Sequence, residues 1–281
     1  MSILVAPRKR MPPAPAPRYS PMTAGQFKRW SVSSSPLRTA ALSLCSLLAS
    51  AQAADLTGSC TVRSGATTPA IVELYTSEGC SSCPPADRWL SRLTAQPDVV
   101  ALAFHVDYWD HLGWKDPYGS PAFSQRQAQQ QVVNGARFSY TPQVTVNGVD
   151  TPGWRGLRLP ITVPQAMAPV QVQLSREGDR YTAVVRAVGG SSLRIGAYWA
   201  VTENALVSDV KRGENHGALL THDFVVRDYR PVAPWVTTLD NTRTLTLAAL
   251  PAPEGGRPRQ INLVVFDADT GRPVQAIKLG C

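Results

Sequence analysis

The stretch Val72-Glu-Leu-Tyr-Thr-Ser-Glu-Gly-Cys-Ser-Ser-Cys-Pro-Pro-Ala-Asp87 decides how this sequence is read. It begins inside the run AIVELYT (Ala70–Thr76), which is apolar and β-branched, and the cluster Ser77-Glu78-Gly79 breaks that run. A buried strand ending in a turn is the expectation. Pro84 and Pro85 suit the first turn of a helix, where missing N–H groups cost little. Ala86, Trp89, Leu90 and Leu93 then recur at i, i+3, i+4 and i+7, which gives that helix one apolar face. Cys80 and Cys83 therefore fall at the junction of a strand and a helix.

Working outward, residues 98–106 (DVVALAFHV) read as a second buried strand, followed by a loop rich in aromatics and charge from Asp107 to Tyr118. Ser120-Pro121 opens another helix, which Asn134-Gly135 closes. Residues 142–146 form a third strand, and Asn147-Gly148 signals a hairpin. Strand, helix, strand, helix, strand, hairpin is an α/β pattern whose first two strands should run parallel. Residues 151–169 carry Pro152, Pro160, Pro164 and Pro169 and read as an edge running into a linker. Beyond them come strand-like runs at 170–174, 181–188, 193–201, 224–226, 242–247, 261–266 and 274–279, separated by turn clusters. About seven short strands at this spacing favour an antiparallel sandwich.

The formal net charge is +8 over 281 residues, but seven basic residues and no acidic one lie within residues 1–54. From Asp55 onward the balance is 21 basic to 20 acidic, so no electrostatic footprint for nucleic acid remains. Residues 1–54 have the anatomy of a secretory leader: a charged approach ending at Arg38, the apolar run TAALSLCSLLA and the A-x-A site Ala51-Gln52-Ala53. The run is shorter than the roughly 20 residues a spanning helix needs. The mature protein is thus expected in the periplasm or outside the cell, without stable membrane insertion.

Removing Cys45 with the leader leaves Cys60, Cys80, Cys83 and Cys281. An even count in an oxidising compartment suggests pairing. If the close pair stays together, Cys60 joins Cys281 and clasps the chain ends, a structural disulfide worth roughly 4–5 kcal/mol in the loop-closure picture. The alternative is that one of these two relays electrons to the close pair.

A Cys-x-x-Cys at a strand–helix junction points to redox chemistry. Helix N–H groups and the helix dipole favour a thiolate on Cys80, which attacks a disulfide, and Cys83 resolves the mixed disulfide. The prolines at 84 and 85 remove two donors, which argues for a less acidic Cys80. A buried structural disulfide and a metal site are competing readings. For the metal, Cys80, Cys83 and His105 form the candidate copper-binding set, while His216 and His222 read as ordinary loop and strand residues. Thr141-Pro142 heads the third strand, where proline belongs. Glu73 is a candidate proton relay for the second cysteine, although one residue of offset in a strand swaps faces. Asp107, Tyr108 and Trp109 leave the second strand at the edge where α/β sheets place ligands, and read either as a substrate platform or as an aromatic cap on the core.

The Val72–Asp87 run, together with Phe104-His-Val-Asp-Tyr-Trp-Asp110, Tyr140-Thr-Pro-Gln143, Gly213-Glu-Asn-His-Gly217 and His222-Asp-Phe-Val-Val-Arg227, resembles a bacterial family of secreted thioredoxin-like proteins known as a domain of unknown function. The resemblance covers roughly residues 69–281. It implies a thioredoxin fold with Cys80 and Cys83 as the redox pair and Pro142 as a cis-proline beside them, where the Thr141 backbone would meet an extended substrate. The family's helix after the hairpin matches a stretch here that prolines break.

The resulting expectation is an α/β thioredoxin-like domain over 66–160 followed by an all-β antiparallel sandwich-like domain over 168–281. Its function would be thiol–disulfide exchange with a thiol- or disulfide-containing protein substrate and a redox partner. The Cys80–Cys83 disulfide would be the working group, with no other cofactor. The competing functions are a copper carrier and a non-catalytic binding module.

Overall fold

The computed structural model describes residues 59–280, apart from 165, 190–191 and 249–256. The expected leader and Cys281 lie outside the described residues, and with them the predicted cleavage site and the Cys60–Cys281 pairing; Cys60 itself is disulfide-bonded.

Strands β1 (Cys60–Arg63) and β2 (Ala70–Thr76) precede helix α1 (Pro84–Ser91). Then come β3 (Val99–His105), helix α2 (Pro121–Val133), and the hairpin of β4 (Gln143–Val146) and β5 (Val149–Asp150). The second half contributes β6 (Val170–Glu177), β7 (Arg180–Ala187), β8 (Leu193–Glu203), β9 (Leu206–Asp209) and β10 (Leu219–His222). It continues with β11 (Val225–Thr237), β12 (Thr242–Leu247), β13 (Arg259–Asp267) and β14 (Pro273–Leu279).

One eight-stranded mixed sheet, in the order β14-β13-β8-β11-β3-β2-β4-β5, takes strands from both halves of the chain. A four-stranded sheet, β1-β6-β7-β12, packs on part of one face, and β9 and β10 form a separate ribbon. β2 and β3 run parallel in the register Ala70↔Val99 to Thr76↔His105. The long sheet crosses from one half to the other where β11 meets β3. Val225 pairs in parallel with Ala103, and the Ala103 N–H donates to the Phe224 carbonyl at 2.8 Å.

This corrects the expected fold class. A thioredoxin-like α/β domain followed by a separate sandwich is not what forms; the described residues are mostly β, with two α-helices set on a large mixed sheet. The physical reason lies at the outer edge of β3. That strand is buried on both faces, so its edge needs a hydrogen-bonding partner, and the chain supplies one from the second half. Residues 151–169 give only a 3-10 turn at Trp154–Gly156, so within its described residues that stretch builds no covering helix.

Alternation along β2 and β3 sorts the two faces. Ala70, Val72, Leu74, Val99, Ala101 and Ala103 pack against Trp89 and Leu90 of α1, against Leu93 in the turn that follows it, and against Trp154. Ile71, Tyr75, Val100, Leu102 and Phe104 pack on the opposite face with Phe123 of α2 and with Tyr198 and Val226. A third cluster fills the space between the four-stranded sheet and β8, β13 and β14, centred on Val172, Val185, Trp199, Leu247 and Leu263. Among the described residues no helix is long and apolar enough to cross a membrane.

Candidate functional site

β2 ends at Thr76, and residues 77–83 turn from it into α1. Cys80 and Cys83 are joined by a disulfide with their Cα atoms 5.4 Å apart. Both are buried, Cys80 to 1 % exposure, while Ser81 and Ser82 between them are exposed. The turn is closed by Cys80 N–H to the Ser77 carbonyl (3.2 Å) and Cys83 N–H to the Cys80 carbonyl (3.1 Å). Cys83 is the N-cap of α1, and the N–H groups of Ala86 and Asp87 both donate to its carbonyl, at 2.8 and 3.2 Å. Pro84 and Pro85 have none to offer, so the first turn holds no vacant donor for Cys80. The polar group beside the Cys80 sulfur is instead the Ser82 hydroxyl, at 3.4 Å.

A loop between β9 and β10 lies across the dithiol turn. It is pinched by Gly217 N–H to the Val210 carbonyl and Val210 N–H to the Ala218 carbonyl. Asn215 Nδ2 donates to the carbonyls of Glu78 (2.9 Å) and Cys80 (3.0 Å). The Ser81 N–H donates to Glu214 Oε2 at 2.9 Å, and this contact holds the exposed Glu214 carboxyl below its ordinary range. These residues belong to the Gly213–Gly217 motif, to which sequence reading gave no role.

Trp109 sits against the other side of the turn. A Cβ on Gly79 would meet the Trp109 Cβ at 2.9 Å, so close approach is what the glycine allows. The Trp109 indole N–H donates to Thr141 Oγ1 at 2.8 Å, and the Thr141–Pro142 peptide bond is cis. Trp109 and Thr141 are thus joined beside the dithiol turn. Tyr108 and Asp107 are tied to α2 instead. The Tyr108 hydroxyl donates to Gln127 Oε1 at 3.1 Å, and Ser124 Oγ donates to Asp107 Oδ1 at 2.5 Å.

Glu73 is not brought to the dithiol. Its odd position in β2 turns it to the α2 face, where Arg126 Nη2 and the Tyr75 hydroxyl donate to it at 2.6 Å each, joined by the Tyr198 hydroxyl. Burial and then the Glu73 charge push the phenols of Tyr75 and Tyr198 well above their usual range. The relay expected of Glu73 is corrected on this ground: its carboxylate is occupied on the face opposite α1.

The dithiol turn also carries a buried carboxylate, that of Glu78, two residues before Cys80. The Trp114 indole N–H donates to its Oε2 at 2.7 Å, and His222 Nε2 lies 3.2 Å from its Oε1. His105 Nδ1 lies 2.7 Å from Asp116 Oδ2, the oxygen that also accepts the Glu78 N–H at 2.9 Å. Burial alone would raise the Asp116 pKa, but His105 and the N–H groups of Glu78 and Tyr118 bring it below the ordinary value. The two imidazoles meet edge to face, with ring centroids 4.9 Å apart, and the Tyr118 ring touches both. Asp87 completes the group from α1: Oδ2 accepts from Thr76 Oγ1 at 3.1 Å, and Oδ1 lies 3.8 Å from His222 Nδ1. Burial would lower the His222 pKa, but the Asp87 and Glu78 carboxylates outweigh it and push it up to about 10.

The set Cys80, Cys83 and His105 does not converge. Among the described residues, the His, Cys, Asp and Glu side chains that come together in a group of three are Asp87, His105 and His222. From the sequence alone Glu78, Asp87, Asp116 and Asn215 had no role, and His222 read as an ordinary strand residue. Their signal was present, since Glu78 and Asp87 lie inside the Val72–Asp87 stretch, and Asn215 and His222 lie in the downstream motifs.

The sequence model of a family described as "Protein of unknown function (DUF1223)" matches residues 71–266. Among solved structures, the chain is similar to protein AGR_C_4864 from Agrobacterium tumefaciens, at 28% identity and a TM-score of 0.55, covering 76% of this chain and 94% of that one. It is also similar in fold to HBP35 of Porphyromonas gingivalis, at 14% identity and a TM-score of 0.52, covering 77% and 76%. No curated protein sequence matches it.

Proposed function

The chain belongs to this family of proteins of unknown function, and we propose that it is an exported thiol–disulfide oxidoreductase working through Cys80 and Cys83. The observation that carries this reading is the Cys80–Cys83 disulfide itself, held at a strand–helix junction under a loop fixed by a few hydrogen bonds. The leader-like residues 1–54 support placement in an oxidising compartment.

In the reduced protein the Cys80 thiolate attacks one sulfur of a substrate disulfide. A Cys80–substrate disulfide forms and one substrate thiolate leaves. The Cys83 thiolate then attacks Cys80 Sγ, the second substrate thiolate leaves, and the Cys80–Cys83 disulfide is restored. Two electrons pass from the protein to the substrate, and each departing thiolate takes up a proton from solvent. Run backwards, the same steps oxidise a substrate dithiol. Ser82 is the group placed to hydrogen-bond the Cys80 thiolate. Because Cys80 is buried, the 213–217 loop must lift before a protein substrate engages, and Trp109, packed against Gly79, then borders the opened turn.

The test is a reduced Cys83→Ser variant mixed with oxidised glutathione and with a disulfide-bonded peptide. A stable adduct on Cys80, seen by mass spectrometry and reversed by dithiothreitol, is expected. A folded variant whose Cys80 forms no adduct overturns the reading.

A further inference from the structure

The imidazoles of His105 and His222 are buried, yet each leaves one nitrogen without a hydrogen-bond partner among the described residues: Nε2 of His105 and Nδ1 of His222. Leaving such atoms unsatisfied is costly. Both histidines belong to a group with Asp87 in which one ligand atom from each residue lies within 4.8 Å of the others, and His222 Nδ1 itself is 3.8 Å from Asp87 Oδ1.

We propose that Asp87, His105 and His222 form a binding site for a divalent transition-metal ion of the zinc class, separate from the dithiol. Two imidazole nitrogens and one carboxylate oxygen are ligand types that zinc accepts, with a fourth position left to water. Each ring is held through its other nitrogen by a buried carboxylate, His105 Nδ1 by Asp116 and His222 Nε2 by Glu78. That is the outer arrangement which fixes a metal-binding histidine and turns its remaining nitrogen inward. The second oxygen of Asp87 is likewise occupied, by Thr76. Ligand atoms around zinc at about 2.0–2.2 Å lie about 3.3–3.6 Å apart in a tetrahedron. From a spread of up to 4.8 Å, the group reaches that spacing by drawing in by at most about 1.2–1.5 Å.

The ligands come from three elements: α1, β3 and β10. An ion there joins the β9–β10 ribbon, whose loop covers the dithiol, to the strand and helix beneath it. Tyr118, half-buried, rests on both rings and forms the side of the site toward solvent, with the Arg227 guanidinium over its own ring at 4.9 Å.

The full chain from Ala54 onward, stripped with EDTA and kept in the disulfide form, is titrated with Zn²⁺ and with Co²⁺. One ion per chain is expected, with a raised melting temperature and a Co²⁺ spectrum lacking a thiolate charge-transfer band. A Cys80→Ser/Cys83→Ser double variant should bind equally well. Asp87→Asn and His222→Gln, confirmed as folded by circular dichroism, should lose stoichiometric binding, and Asp116→Asn should weaken it by about 10–100-fold. Absence of binding at micromolar free Zn²⁺ overturns the proposal and leaves the cluster a buried ion pair. A thiolate band in the wild type, or binding lost only in the cysteine variant, overturns it too. If the ligand variants do not fold, the wild-type spectrum and the cysteine variant still decide.

Discussion

Asn215 reaches across from the β9–β10 loop to donate one side-chain amide to the backbone carbonyl of Cys80 at 3.0 Å, while the same nitrogen bonds the carbonyl of Glu78 at 2.9 Å. A residue 135 positions downstream thereby fixes the backbone of the first cysteine. The dithiol is built by one local motif and closed by a distant one.

Asn215→Ala removes both bonds, each worth about 0.5–1.5 kcal/mol. Loop opening becomes easier by that amount, so reduction of the Cys80–Cys83 disulfide by dithiothreitol should speed up by about tenfold. Timed alkylation with mass detection reads the rate, and an unchanged rate would mean that the loop does not limit access.

Ser82→Ala removes the hydroxyl 3.4 Å from the Cys80 sulfur. With no vacant N–H at the start of α1, little else stabilises a thiolate there. The pH midpoint for alkylation of Cys80 in the reduced protein should rise by about half a unit to one unit. A midpoint that stays put would remove Ser82 from the thiolate's surroundings.

Gly79→Ala sets a methyl group 2.9 Å from the Trp109 Cβ. Overpacking of this kind costs about 1–3 kcal/mol, and the shift should loosen the Trp109–Thr141 bond. Chemical denaturation measures the loss, and a substrate-peptide KM that rises more than kcat falls would mark Trp109 as part of the binding surface.

Glu73→Gln leaves Arg126 buried without its counter-charge, a change that costs about 3–5 kcal/mol. The alkylation profile of the dithiol should be unaffected, because Glu73 lies on the other face of the sheet. Denaturant unfolding and the alkylation titration together separate this structural role from a proton relay.

Tyr75 and Tyr198 bring a pH dependence with a definite sign. Their folded pKa values stand well above the ordinary 10.0, so the native state keeps protons that the unfolded chain gives up. Their contribution is fully present below pH 10 and is lost as pH rises further. The urea midpoint should fall from pH 10 upward, and a Tyr75→Phe/Tyr198→Phe variant should show a shallower fall.

Much of the local structure was legible. The AIVELYT run, the two prolines and the apolar face of residues 86–93 fix β2 and α1, because a fully buried strand and a one-faced helix have different periods. The runs at 170–174, 242–247 and 274–279 were equally plain; they fall within β6, β12 and β14, of which β6 runs on to Glu177 and β14 begins at Pro273. β11 was not. The sequence signals only residues 224–226, since Pro231 and Pro234 argue against a strand, yet β11 runs to Thr237. It tolerates them because past Val225 it pairs with β8 alone, with a register shift between Val232 and Trp235.

By itself, the sequence determined the disulfide-forming pair, the turn that carries it and the elements on either side, because chain neighbours enforce all of these. It also determined, through the alternation of β2, that Glu73 and Leu74 face opposite ways. Only the tertiary structure decided that the two halves share one sheet, since the edge of β3 is satisfied by a strand about 120 residues away in the chain. Only it brought Glu78, Asp87, Asp116, His105 and His222 together around two orphaned nitrogens. Convergence of side chains from the turn after β2, α1, β3, β10 and the loop before α2 depends on how the sheet closes, and no spacing along the chain encodes it.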